Sequence, residues 1–223
     1  MKRNVSLAEI SDGRLYGLKD MVKADCHGCK GCSDCCRGMG ESIILDPLDC
    51  FGLTTYLKKT LQELIGTCLE LGVVDGVVLP HLAMRDGDEK CGFLDGQGRC
   101  SVHPARPGIC RIFPLGRYYE NGSFRYFLRV SECSEKNRTK VKVEKWIDTP
   151  QLATNQAFLQ EWHDLLMQVE ALINDSEDDV FRKNLTLFLL NTFYLEAYDE
   201  KEDFYVQFQL RKNRFRQIVP EES

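Results

Sequence analysis

Five cysteines, Cys26, Cys29, Cys32, Cys35 and Cys36, crowd into eleven consecutive positions of a 223-residue chain that contains eleven cysteines in all. Gly28, Gly31, Gly38 and Gly40 are interspersed with them. Such a stretch buries little and cannot hold itself together as core. Its glycines allow tight turns, and sulfurs recurring every third residue can close around one soft or borderline cation. An odd number of cysteines cannot pair completely. The start, Met1-Lys2-Arg3-Asn4 followed by Val5-Ser6-Leu7-Ala8-Glu9, interrupts any apolar run before a secretory segment forms. A cytoplasmic, reducing location is therefore expected, where dense cysteine points to metal or redox chemistry rather than structural disulfides. No stretch has the length of a membrane-spanning helix.

The apolar content, 43%, is enough for a core without covalent staples. Net charge is −5, which argues against a nucleic-acid footprint over the whole surface. Lys136, Arg138, Lys140, Lys142 and Lys145 read as a solvated face. Ser6 and Glu9 resemble a capping box for a short helix. Asp46-Pro47 predicts the start of a longer one, with Leu53, Tyr56, Leu57, Leu61, Leu64 and Ile65 at helical spacing to about Leu71. Short strands are expected at 42–45, 77–84, 92–94, 101–102 and 117–119. Asn121-Gly122 should turn the last of these into a hairpin with 124–130. Beyond Thr149-Pro150, Phe158, Leu159, Trp162, Leu165, Leu166, Val169, Leu172 and Ile173 form one apolar helical stripe. A second helix is predicted from Ser176–Asp179, burying Phe181, Leu185, Phe188, Leu189 and Tyr194, and a third from Glu202 to Ile218. The fold class expected is α+β. A cysteine-rich, metal-organised lobe with short antiparallel strands spans 1–147, and a helical region, 148–223, packs on it within one structural domain.

The first cysteine group can be parsed in two ways. Cys26, Cys29, Cys32 and Cys36 have the spacing of bacterial iron–sulfur ferredoxins, although Arg37 stands where those carry proline. Alternatively Cys29, Cys32, Cys35 and Cys36 form one set, and Cys91, Cys100, Cys110 and Cys133 supply another. Adjacent Cys35 and Cys36 should point different ways and serve two metals or two irons of one cluster, which leans toward iron. Asp95-Gly96-Gln97-Gly98 is placed to turn the chain so that Cys91 and Cys100 lie together. Cys50 and Cys68 read as core residues. Cys133 stands open between ligand and unligated thiol. His27 and His103 adjoin cysteines, and imidazole is a common zinc ligand. Arg106 and Arg111 could offset thiolate charge or pair with carboxylates.

The chain resembles the YkgJ-like cysteine-cluster proteins, the CxxCxxCC family of zinc- or iron-chelating domains. Cys29-Lys30-Gly31-Cys32-Ser33-Asp34-Cys35-Cys36 matches the name-giving motif. Cys91-Gly92-Phe93-Leu94 with Cys100-Ser101-Val102 matches a second block, and Arg106-Pro107-Gly108-Ile109-Cys110-Arg111-Ile112-Phe113-Pro114 a third. The resemblance implies zinc or iron, an iron–sulfur cluster included, as cofactor, and a metal ion as first partner. It leaves a protein partner open. A similar cluster occurs in flagellin lysine N-methylase, which makes a protein-modifying enzyme one alternative. A zinc module that merely organises an interaction surface is another. The sequence contains no His-Glu-x-x-His motif, nucleotide-binding glycine loop or radical-enzyme cysteine spacing, so catalysis itself stays undecided.

Overall fold

The protein is described by a computed structural model covering residues 6–26, 33–85, 89–130, 132–135 and 137–219. The fold is α+β, as predicted. Ser6 accepts the Ala8 N–H at 3.3 Å and opens a single helical turn, α1 (Leu7–Ile10). Two strands absent from the sequence reading follow, β1 (Ser11–Tyr16) and β2 (Met21–Asp25). At 42–45 the expected strand shrinks to one isolated bridge, Ile44 to His81.

Asp46 opens α2 (Pro47–Leu57) with a reciprocal capping box. Its carboxylate accepts from Asp49 N–H at 2.9 Å, while Asp49 Oδ2 accepts from Asp46 N–H at 3.2 Å. The helix stops well before Leu71. Lys58 turns left-handed at φ +53°, and Thr60 with Glu63 forms a second capping box that starts α3 (Leu61–Leu64). Leu61 and Leu64 keep the apolar spacing of α2, yet the helix breaks at Lys58 before reaching them. Tyr56, assigned to the same face by that spacing, is exposed.

What was read as the end of that helix is a strand, β3 (Leu69–Val74), paired in full register with β4 (Val77–Leu82). Asp75 and Gly76 join them with φ +50° and +82°, the mirror-image turn that suits strand twist. A Cβ on Gly76 would lie 2.9 Å from Ile173 Cγ2. Gly76→Ala therefore combines a left-handed penalty of about 1–2 kcal/mol with an overpacking cost of about 1 kcal/mol. Gly98→Ala, at φ +74° with open space around it, meets only the first. The urea midpoint of the first variant is expected to fall further than that of the second.

Next come β5 (Met84–Arg85) and β6 (Lys90–Cys91), which pair only over two residues. The strands expected at 92–94 and 101–102 are replaced by turns and one bridge, Leu94 to Cys100. Asp95 explains this: its Oδ1 accepts Gln97 N–H at 2.9 Å and Arg99 N–H at 2.8 Å, which closes the loop too tightly for a ladder. A short helix, α4 (Gly108–Ile112), leads into the predicted hairpin of β7 (Leu115–Glu120) and β8 (Ser123–Arg129), turned at Asn121-Gly122. β9 (Thr139–Lys142) and α5 (Val143–Ile147) follow. The sheets are β1-β8-β7, β2-β9, β3-β4 and β5-β6, all antiparallel.

The chain ends in three helices, α6 (Leu152–Asp175), α7 (Asp179–Leu190) and α8 (Phe204–Ile218), with a π-helical turn, Asn191–Leu195, continuing α7. Val206, Phe208 and Leu210, whose alternation would also suit a strand, lie within the helix α8. Phe181 is exposed rather than buried, because the inward face of α7 runs through Leu185, Leu189 and Leu190. Thr186 accepts the Val78 N–H at 2.7 Å and so docks α7 on the edge of β4 opposite β3, next to the Ile44 bridge. The larger core joins α2, α3, β3 and β4 to all three C-terminal helices, and Trp162, Phe193 and Phe208 meet within it. A smaller core lies under the three-stranded sheet, around Val22, Ile112, Leu115, Tyr126 and Ile147. No helix among the described residues is long and apolar enough to cross a membrane.

Candidate metal centre

Ser33, left-handed at φ +56°, starts a 3-10 turn over Asp34–Cys36. Arg37 Nε donates to Ser33 Oγ at 3.1 Å across it. The Cys35 and Cys36 sulfurs consequently face each other, 3.7 Å apart. This corrects the expectation that they diverge. Successive residues on a 3-10 turn are rotated by about 120°, not the half-turn of a strand, so neighbouring side chains can share a side. Two sulfurs on one tetrahedral zinc at about 2.3 Å would stand about 3.8 Å apart. The spacing thus suits two donors to one ion, and the lean toward iron that rested on divergence falls away.

Bonds from two further segments bring the second cysteine group to this turn. Gly38 N–H donates to Glu89 O at 3.0 Å, and Arg37 bridges to Lys90, next to Cys91. The Asp95 loop returns Cys100 to Leu94. Cys91 is buried, whereas Cys36, Cys68, Cys100 and Cys110 are half-buried and pack against the rim of the larger core. Cys110 is carried by α4. The first N–H of that helix, on Gly108, donates to Asp49 Oδ1 at 2.7 Å, which anchors α4 to α2 across 59 residues of sequence. Sequence reasoning missed Asp49; its only local signal is the capping box with Asp46.

The thiols act on one another electrostatically. Cys35 is lowered to about 7, first by its hydrogen bond with Cys36 and then, against burial, by the charge of Arg106. Cys36 is raised by the same sharing of a proton, by burial and by Cys91 and Cys100. Burial pushes Cys91 up to about 11, and Cys100 and Cys35 add to it. Burial likewise raises Cys100 and Cys110, with Cys35 adding to both. Cys35, Cys36, Cys91, Cys100 and Cys110 therefore form one neighbourhood in which Cys35 ionises first, helped by Cys36, and its charge disfavours ionisation of the other four. A cation relieves that repulsion.

Arg106 is the cation already present. Its Nε is buried without a hydrogen-bond partner among the described residues, and none of their carboxylates forms an ion pair with the guanidinium. Its Nη1 donates to His103 Nε2 at 3.1 Å. Burial and then Arg106, Arg111 and Arg99 lower the His103 pKa, and the ring nitrogen that faces Arg106 is spent on it. Arg111 instead reaches the carbonyls of Asp148 and Pro104, both at 3.4 Å. Of the two arginines, Arg106 is thus the one directed at the thiols. An orphaned guanidinium nitrogen among weakly acidic sulfurs fits a site that becomes anionic once thiolates form.

Among the described residues, no three His, Cys, Asp or Glu side chains converge closely enough to hold an ion. Cys29, Cys32 and His27 lie outside the described residues. Cys26 follows β2 and is half-buried, as is Cys133. Ser134 N–H donates to Asp34 Oδ2 at 2.6 Å, which brings the chain around Cys133 against the Cys35–Cys36 turn. Cys50 is buried as expected, with its thiol raised by burial and by Asp49 and Asp46. Cys68 is only half-buried; its Sγ lies 3.7 Å from Gly92 O, and its charge acts on Cys91.

The model of one protein family, CxxCxxCC, described as "Putative zinc- or iron-chelating domain", matches residues 28–146, a little over half of the chain. No curated protein and no solved structure matches it.

Proposed function

The chain belongs to the CxxCxxCC family, and we propose that it chelates zinc or iron through a donor pool of Cys29, Cys32, Cys35, Cys36, Cys91, Cys100 and Cys110, with Cys26 and Cys133 beside it. The facing sulfurs of Cys35 and Cys36 are the observation that carries this reading. Bound there, zinc supplies a structural cross-link or Lewis acidity, whereas an iron–sulfur cluster supplies electron transfer. The residues of the chain do the rest. Asp49 fixes the helix that presents Cys110, Asp95 closes the loop that returns Cys100 beside Cys91, and Arg106 lowers the cost of gathering thiolates. A metal-tied lobe of this kind serves as an accessory or sensing unit, and its cytoplasmic setting keeps the sulfurs reduced.

Anaerobic purification followed by metal analysis and visible absorption tests the reading. One or two equivalents of zinc or iron per chain support it; iron with acid-labile sulfide selects a cluster. Folded, fully reduced protein that takes up neither metal from a chelator-buffered solution overturns it.

Arg106→Gln gives a second measure. Loss of the positive charge raises Cys35 and Cys100, because Arg106 lowers both. Protons then compete better with the ion. The pH midpoint of metal loading is expected to move upward by about half a unit, and apparent affinity near neutrality to fall a few-fold. An unchanged midpoint would show that the guanidinium does not act on the donors.

A further inference from the structure

Away from the candidate metal ligands, α2 and α3 form one wall of a cleft of about 350 Å³ whose other wall is the π-helical turn and the segment after it, through Glu200. That volume is within the range of small-ligand sites. Phe51, Leu61, Tyr194, Leu195 and Tyr198 supply its apolar surface. The far wall is built rigidly. Buried Arg211 donates to the carbonyls of Thr192, Glu196 and Ala197 at 2.9, 2.6 and 2.7 Å, and its guanidinium lies 3.5 Å from the centroid of the Tyr198 ring. The π turn that offers Tyr194 and Leu195 is a rare conformation, frequent at functional sites.

The hydroxyls of the cleft are not equivalent. Thr54 donates to the Cys50 and Phe51 carbonyls, Thr60 to Glu63, and Tyr194 to Leu45 O. Thr55 Oγ1 and Tyr198 Oη, by contrast, are shielded from solvent, and neither hydroxyl proton has an acceptor among the described residues; the one polar neighbour of Tyr198 Oη is the Arg211 guanidinium, itself a donor. A buried hydroxyl left unpaired is destabilising, so two in one cleft call for an explanation. The charges of the rim are also asymmetric. Glu200 pairs with Lys58 at 2.6 Å, Glu196 with Arg214 at 2.5 Å, and Glu63 is held by the Thr60 cap. Lys59, which also lines the cleft, makes no ion pair among the described residues and adds only the least of the attractions acting on Glu63.

We propose that this cleft binds a small amphiphilic carboxylate. The apolar part lies against Phe51, Tyr198 and Leu195, and the carboxylate oxygens accept from Thr55 and Tyr198 after a small turn of either side chain into the cleft. Lys59 supplies the attraction at the mouth. The assignment is independent of the metal centre, which no residue of the cleft enters.

Benzoate and hexanoate serve as probes, benzylamine as the cationic comparison, with binding followed by NMR of the Thr54 and Thr55 methyls and the Lys59 amide. Saturable shifts with either acid, at a dissociation constant below about 1 mM, and none with benzylamine, are expected. Thr55→Val and Tyr198→Phe should each weaken binding about tenfold, as loss of one hydrogen bond to a charged group does. Both variants remove a buried hydroxyl proton that has no acceptor, and Arg211 keeps its three carbonyl acceptors, so their melting temperatures should equal or exceed that of the parent. A purely structural role would lower them. Lys59→Gln, at an exposed position, should weaken binding and steepen no unfolding transition. Absence of shifts with both acids, equal response to benzylamine, or undiminished binding in both hydroxyl variants would overturn the proposal.

Discussion

Cys110→Ser is expected to lose at least one bound ion per chain and about 10 °C of melting temperature. An ion present at 1,000 times its dissociation constant contributes about 4 kcal/mol to the folded state. In a chain of this length each kcal/mol moves the transition by about 2–4 °C. Serine keeps the shape of the side chain but is a poor ligand for a borderline cation, so the loss falls on the metal term. Without metal, the parent and the variant should melt within a few degrees of each other, because α4 remains tied to α2 through Gly108 and Asp49. Cys50→Ala is the contrasting substitution. Cys50 is 4% exposed and lies in the larger core, so truncation destabilises by packing alone and the metal content stays that of the parent. Equal metal content in the Cys110→Ser protein, measured after gel filtration under reducing conditions, would remove Cys110 from the donor set.

How much of this was legible in the sequence follows from how local each signal is. The Asn121-Gly122 turn, the Asp46-Pro47 cap and the apolar stripe of α6 are written within a few residues, and each is found where the sequence places it. β1 and β2 were missed because their partners, β8 and β9, are more than 100 residues away and supply the pairing that SDGRLY and MVKAD do not announce. The extended helix to Leu71 failed for the opposite reason. Apolar spacing survives a turn unchanged, whereas the Thr60–Glu63 capping box marks the break and outweighs it. At the site, donor types could be read from spacing. The facing of Cys35 and Cys36 could not, since it depends on a left-handed Ser33 and a 3-10 turn. Nor could the bond from Gly108 to Asp49, which only the folded chain brings together.

Asp46→Asn should be more stable than the parent at pH 8 and nearly equal to it at pH 4. The Asp46 carboxyl is pushed up to about 8, chiefly by burial and then by the neighbouring Asp49, with Arg117 opposing. Asp49 is raised by burial too, although it accepts the Gly108 and Asp46 N–H groups. A carboxyl whose folded value lies above its unfolded value of about 4 binds its proton more tightly when folded. Its contribution is fully present below pH 4 and is lost as pH rises through 8, by up to about 1.4 kcal/mol for each pH unit crossed. Asparagine keeps the cap on α2, because its side-chain oxygen can still accept the Asp49 N–H, and it cannot ionise. The difference in melting temperature between variant and parent, both stripped of metal, should therefore widen from pH 4 to pH 8 and then level off. Parallel profiles would mean that Arg117 compensates the charge completely. Metal binding has the reverse slope, since thiols must ionise to hold the ion. The parent should thus gain most from metal at the alkaline pH where the Asp46–Asp49 pair holds α2, and through it the Cys110 helix, least firmly.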